Sequence, residues 1–209
     1  GWVADGLDAL ALMEAGGITP DVVSYNVLID ACSRAASTRG SRGRVEEGLR
    51  VLTQMNAAGV AADVVSYNSL LNTCAKAARV WGSVGVAQAS RVLEMMAAGG
   101  VLPDITSFNC LLNAYAGAAA AGQVYPFKEV IGVLDYMRDS GVTADVYSYN
   151  TVMNCCAKAV RARAPSSAWG LEQGLAVLGM MNSAGLKPDV VTYTALLDTA
   201  LAASRAKGG

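Results

Sequence analysis

Apolar positions along the chain recur at helical spacing, in blocks separated by glycine-containing breaks. Between residues 64 and 104, Val65, Tyr67, Leu70, Leu71 and Cys74 fall on one side of a predicted helix. The pattern weakens from Ala78 to Ser83, a segment holding Trp81 and Gly82. A second block with Ala89, Val92, Leu93 and Met96 predicts another helix. Gly99 and Gly100 suit a helix end in the left-handed conformation. Pro103 then prevents continuation, and Asp104 stands where the N-cap of the next helix belongs. The unit is two helices, a breaker and a capped restart.

The restart is the most regular feature of the chain. DVVSYN at 21–26 returns as DVVSYN at 63–68, DITSFN at 104–109, DVYSYN at 145–150 and DVVTYT at 189–194. The leading aspartates at 21, 63, 104, 145 and 189 are 42, 41, 41 and 44 residues apart. A near-fixed period of this size defines a repeat array, in which stacking buries the apolar faces that one helix pair cannot. Second helices close at Met13 with Gly17, Met55 with Gly59, Met137 with Gly141 and Met181 with Gly185. Pro20, Pro103 and Pro188 precede the cap, with Ala62 and Ala144 in their place elsewhere. The expected architecture is all-α, a solenoid of stacked helix-turn-helix repeats forming a single array. A second helix occupies 1–21, full repeats span 22–63, 64–104, 105–145 and 146–189, and a first helix occupies 190–209, ten helices in all. Such ends suggest a piece of a longer array, and no targeting segment is evident in it.

Composition narrows the chemistry. The 209 residues carry a net charge of −1 with a pI near 5.4, unlike a bulk cationic nucleic-acid binder. Hydrophobic residues make up 53%, with much Ala and Gly, which suits close helix packing, and no apolar run reaches membrane-spanning length. There is no histidine, which removes the commonest general base and metal ligand. The five cysteines form no CxxC pair. Cys32, Cys74 and Cys156 fall at one place in three repeats, as small buried apolar residues would. No cofactor, zinc site or Ser-His or Cys-His nucleophile is therefore expected within this chain, and no enzymatic activity of its own.

A Tyr-Asn near the first helix start, a late Met and then Gly-x-x-Pro-Asp resemble the pentatricopeptide repeat. GITPDVVSYNVLIDAC and GLKPDVVTYTALLDTA fit that pattern almost residue for residue, and five restarts extend the resemblance over nearly the whole chain. It implies a right-handed superhelix that binds single-stranded RNA, one base per repeat read by two or three side chains. The family's readers are the fifth and last residues of each unit. Here they pair Asn26 with Asp63, Asn68 with Asp104, Asn109 with Asp145 and Asn150 with Asp189, with Thr194 in the last half-unit. By the resemblance, Asn with Asp favours uracil, then cytosine, and Thr194 a purine. The implied site is four uracils or a pyrimidine run, then a purine, with the RNA 5′ end toward the N-terminus. Asn suits a pyrimidine edge because it offers both a donor and an acceptor. The second residue of each unit flanks the base in the family, here Val23, Val65, Thr106, Tyr147 and Val191. Tyr147 adds an aromatic face on which a base could stack.

Structural readings stand beside these. The aspartates would serve as N-caps with or without RNA. Tyr25, Tyr67, Phe108, Tyr149 and Tyr193 are expected to pack between helices. In the family a lysine late in the first helix contacts phosphate. Arg34, Lys76 and Lys158 hold that place, and Gly117 does not. With neighbouring arginines they would form a basic track, or they simply complement the negative helix ends. Against the family's unit of 35 residues, each repeat carries 6 to 9 extra, aligned at Ala36–Arg42, Ala78–Ser83, Ala119–Val124 and Val160–Ala168 and expected as loops. The resemblance points to RNA metabolism in a chloroplast or mitochondrion. The alternative is a scaffold that grips other proteins of a ribonucleoprotein or other complex, with the uncharged stretch Ala116–Ala121 as its docking face. A third reading places a catalytic domain beyond the ends.

Overall fold

The computed structural model describes residues 2–36, 42–123, 125–161 and 170–207. Among them lie ten α-helices and no strand. They are α1 (Trp2–Ala15), α2 (Val22–Ala35), α3 (Arg42–Ala57), α4 (Val64–Trp81), α5 (Ser83–Ala98), α6 (Ile105–Ala120), α7 (Phe127–Asp139), α8 (Val146–Arg161), α9 (Leu171–Ser183) and α10 (Val190–Lys207). The first helices stack in sequence, α2 on α4, α4 on α6, α6 on α8 and α8 on α10. Each second helix packs between its own first helix and the next, as α5 does between α4 and α6. The result is an α-solenoid whose first helices form one continuous layer.

The signature residues build each turn. The Oδ1 atoms of Asp63 and Asp104 accept from the backbone N–H of Ser66 and Ser107 at 2.9 Å, and each serine hydroxyl accepts from the aspartate's own N–H. These are capping boxes, each cap contributing about 1 kcal/mol. Second helices end in a Schellman turn, where the residue after the glycine donates its N–H to the carbonyl of the late methionine. Val60 does so to Met55 at 3.0 Å, Val101 to Met96 at 3.0 Å and Val142 to Met137 at 2.8 Å. The intervening Gly59, Gly100 and Gly141 have φ of 72 to 74°, which a side chain would strain.

The core runs through the layer boundary. Leu70, Leu71, Cys74, Ala89, Val92, Leu93 and Met96 are all buried. Tyr25, Tyr67 and Phe108 are buried as well, and the Phe108 ring meets Tyr136 of α7 edge-on at 5.1 Å. Tyr149 is half-buried, and Tyr193 is exposed. The five cysteines are free and buried. Burial pushes the Cys74 and Cys155 thiols up to about 12, so they behave as small apolar side chains.

Two expectations from the sequence are corrected. Ala78–Ser83 is not a loop: α4 continues through Trp81, Gly82 alone turns the chain at φ 57°, and α5 begins at Ser83. Ala, Arg, Val and Trp have nothing that breaks a helix, so the extra residues lengthen it. Ala116–Ala121 is no docking face either. Ala116, Gly117, Ala118 and Ala119 are buried in α6, where Gly117 lies against the α4 backbone. Likewise Arg42, Ala119, Ala120, Val160 and Arg161 are helical, Ala36 and 121–123 lie outside any helix as expected, and 37–41, 124 and 162–168 fall outside the described residues.

Candidate nucleic-acid interface

The repeated asparagines sit in the first turn of α2, α4, α6 and α8, and each reaches into the restart of the following repeat. Asn26 Nδ2 donates to Asp63 Oδ1 at 3.2 Å, Asn68 to Asp104 at 3.1 Å and Asn150 to Asp189 at 3.0 Å. A second contact, absent from the sequence reading, holds the other end of each amide. The hydroxyls of Ser66, Ser107, Ser148 and Thr192 donate to the Oδ1 atoms of Asn26, Asn68, Asn109 and Asn150 at 2.6, 2.6, 2.7 and 2.6 Å. Asn109 is oriented by Ser148, and Asp145 caps α8 through Ser148 N–H at 2.8 Å. The signal was visible as Ser or Thr three places after every repeated Asp, but it reads as a cap.

The methionine closes this arrangement from below. The sulfurs of Met55, Met96 and Met181 lie 3.8 to 3.9 Å from the clamping hydroxyls. At the junctions of Asn26, Asn68 and Asn150, Asn, Asp, Ser or Thr, and Met therefore form one contact unit. An asparagine amide has two N–H groups and two acceptor positions. Where Asp and hydroxyl are both engaged, one N–H and one lone pair remain. Asn26, Asn68 and Asn109 are half-buried, and Asn150 is 8% exposed.

The carboxylates feel the same contacts. At Asp63 and Asp104 burial opposes ionisation, but it is outweighed by the N–H of Ser66 or Ser107, the Asn26 or Asn68 amide and the serine hydroxyl, so both lie below the usual range. Asp189 is lowered by Thr192 N–H and then by the Asn150 amide. The aspartates thus serve as caps and as asparagine partners together. Thr194 lacks such a partner among the described residues: its hydroxyl donates back to the Val190 carbonyl at 2.7 Å.

The flanking positions stand open beside the asparagines. Val23, Val65, Tyr147 and Val191 are 61, 57, 52 and 58% exposed, and Thr106 is exposed too. Tyr147 is anchored: Asn113 Nδ2 donates to its hydroxyl at 2.9 Å, from the preceding repeat.

The three cations differ in their surroundings. Arg34 pairs with Asp30 at 2.6 Å on the surface. Lys76 Nζ donates to the Ser33 carbonyl and hydroxyl at 3.0 and 3.1 Å, and Lys158 to the Ala116 carbonyl at 3.4 Å, so both tie their helix to the end of the previous first helix. Burial, opposed by Cys155 and aided by Arg79 and Arg161, holds Lys158 below the usual lysine range. At Gly117 the Arg79 Cγ takes the space a side chain would need, 3.0 Å from where Cβ would stand. The exposed Arg79 thus crosses the one repeat that lacks its own cation. Arg161 pairs with Asp198 at 3.0 Å. Arg39 and Arg163 lie outside the described residues.

A solenoid of two-helix repeats, with an asparagine at each junction held by a hydroxyl of the next repeat and at three junctions by its aspartate as well, defines a class of helical repeat protein. The chain belongs to the pentatricopeptide repeat family: residues 3–132 match the pentacotripeptide-repeat region of PRORP, and residues 176–207 match the pentatricopeptide repeat domain. No curated protein matches the sequence. Among solved structures, the pentatricopeptide repeat protein PPR10 in complex with an 18-nt psaJ RNA element is 26% identical, over 96% of this chain and 26% of that one, with a TM-score of 0.59. PPR10 from maize matches at 23% identity over 94% of this chain and 29% of that chain, with a TM-score of 0.56. The PPR domain of Arabidopsis thaliana protein-only RNase P 1 (PRORP1), in complex with tRNA, shares the fold at 15% identity over 94% of this chain and 89% of that one, with a TM-score of 0.62. This chain thus spans about a quarter of PPR10. Among the described residues no helix is long and apolar enough to cross a membrane.

Proposed function

We propose that the chain binds single-stranded RNA, one base to each of four repeats, and that the array itself catalyses nothing. One observation carries the reading: in Asn26, Asn68 and Asn150 the amide is held at both ends by the next repeat, at 2.6 to 3.2 Å. That leaves one donor and one acceptor, the pair a pyrimidine edge requires. Uracil offers O4 beside N3–H, and cytosine N3 beside its amino group. A fixed amide has little orientational freedom left to lose, so its discrimination approaches the roughly 1–3 kcal/mol of a good base contact. The likeness to PPR10, whose structure holds an RNA element, supports RNA as the partner. The preferred site is a run of pyrimidines, uracil first, then a purine opposite Thr194. Family membership supports work on the transcripts of a chloroplast or mitochondrion.

Titration with oligouridine and oligoadenosine at moderate salt tests this. A clear preference for the uridine strand is expected. Binding to neither strand overturns the reading and leaves a scaffold for other proteins, which has lost Ala116–Ala121 as its docking face.

A further inference from the structure

We infer that Ser66, Ser107, Ser148 and Thr192 are specificity-positioning residues, each acting on the base read by the asparagine one repeat upstream; this rests on the RNA-reading role proposed above. The hydroxyl in each case already accepts from the aspartate's backbone N–H, at 3.2, 3.1, 3.3 and 3.1 Å. Its single proton is left to give. The asparagine Oδ1 lies nearest, at 2.6 to 2.7 Å, against 2.9 to 3.0 Å for the aspartate Oδ1. An ionised carboxylate only accepts, so the amide NH2 must face the aspartate. The hydroxyl then fixes the oxygen end. Together they select one of the two amide orientations, and with it which edge groups the base meets. The chain realises this with serine three times and threonine once, at equal distance.

The junctions are unequal, which makes the role separable from capping. Asn68 is held by Asp104 and Ser107 together. Asn109 is held by Ser148. Losing Ser148 therefore releases Asn109 further than losing Ser107 releases Asn68. Ser148→Ala keeps the backbone N–H that caps α8 through Asp145, whereas fraying of α8 itself would reach Asn150 in its first turn.

The test uses the whole chain with a uridine-rich strand and the set of single-base replacements along it. Ser148→Ala should lower discrimination about three- to tenfold, the worth of one hydrogen bond. The loss should fall at the nucleotide read by Asn109, not at the one read by Asn150. Ser107→Ala should lower it less, at the nucleotide of Asn68. Ser148→Thr should restore it, since Thr192 makes the same bond. Unchanged discrimination in Ser148→Ala, a loss at the nucleotide of Asn150, or equal weakening at every position overturns the assignment while leaving RNA reading intact. Failure of the unaltered chain to bind any strand overturns both, and it shows before any variant is compared.

Discussion

Asn26 and Asp63 stand 37 residues apart, and only the family resemblance pairs them. Their recurrence was legible, and so was the helix-start position of each. The hydroxyl clamp of Ser66 on the other end of the amide was not, because a cap and an asparagine clamp ask for the same Asp and Ser. The structure gives both tasks to one pair of residues, and this has a measurable consequence in acid. Asp63 and Asp104 titrate below their unfolded value of about 3.9, despite burial. A lowered folded pKa favours the ionised native state, so the stabilisation is complete above the unfolded pKa. It is lost as pH falls from there through the folded pKa. Urea midpoints followed by circular dichroism should therefore stay level from pH 7 to about 5 and fall below about 4. Asp63→Asn with Asp104→Asn should lower the neutral plateau and flatten part of that fall. An acid limb of unchanged depth in the double variant would show that other carboxylates carry it.

At the level of the helix, restarts and stops were legible because each uses a residue with a distinct backbone role. Asp caps, Gly turns left-handed and Pro ends a helix. Segments were misjudged where alanine is abundant, since Ala suits both a bland surface and a tight helix contact. Ala78 shows the second use. It is buried, and a Cβ on Gly85 would stand 2.5 Å from its backbone N and Cα. The start of α5 thus presses on the end of α4 around Gly82, with no side chain free to yield. Gly85→Ala should cost about 1–3 kcal/mol in denaturant unfolding, overpacking outweighing the better helix former. Gly48 makes the contrast. A Cβ there would meet the tip of the Leu70 side chain at 2.6 Å, which can move, and Ala89 fills the corresponding place seven residues before Met96. Gly48→Ala should therefore change stability by less than about 1 kcal/mol. Equal losses in the two variants would remove the special role of the Gly85 contact.

Across the whole molecule the charge nearly cancels, at −1, so a polyanion must be held by where the cations sit and not by their number. Arg34, Lys76, Arg79, Lys158 and Arg161 all lie toward the C-terminal ends of first helices, in the layer that carries the asparagines. Two of them are held by backbone carbonyls, and Arg34 and Arg161 by exposed carboxylates. Lys76 and Lys158 donate to carbonyls of the previous first helix, yet an ammonium has three protons, and these contacts leave at least one on each. Arg34 shares an exposed pair with Asp30, of a kind worth under about 1 kcal/mol and readily exchanged for phosphate. Replacing Arg34, Lys76 and Lys158 together by Ala should weaken uridine and adenosine strands alike. On a single strand each lost phosphate contact lowers the salt slope by about 0.7, so three should flatten the plot of log affinity against log salt by about 2. The ratio between the two strands should stay fixed, because backbone contacts carry no base information. Ser148→Ala should do the reverse, changing the ratio and leaving the slope. Unfolding curves belong beside these titrations, since Lys76 also ties α4 to α2. A triple variant that folds as before and keeps its full salt slope would show that these cations serve the helix ends alone.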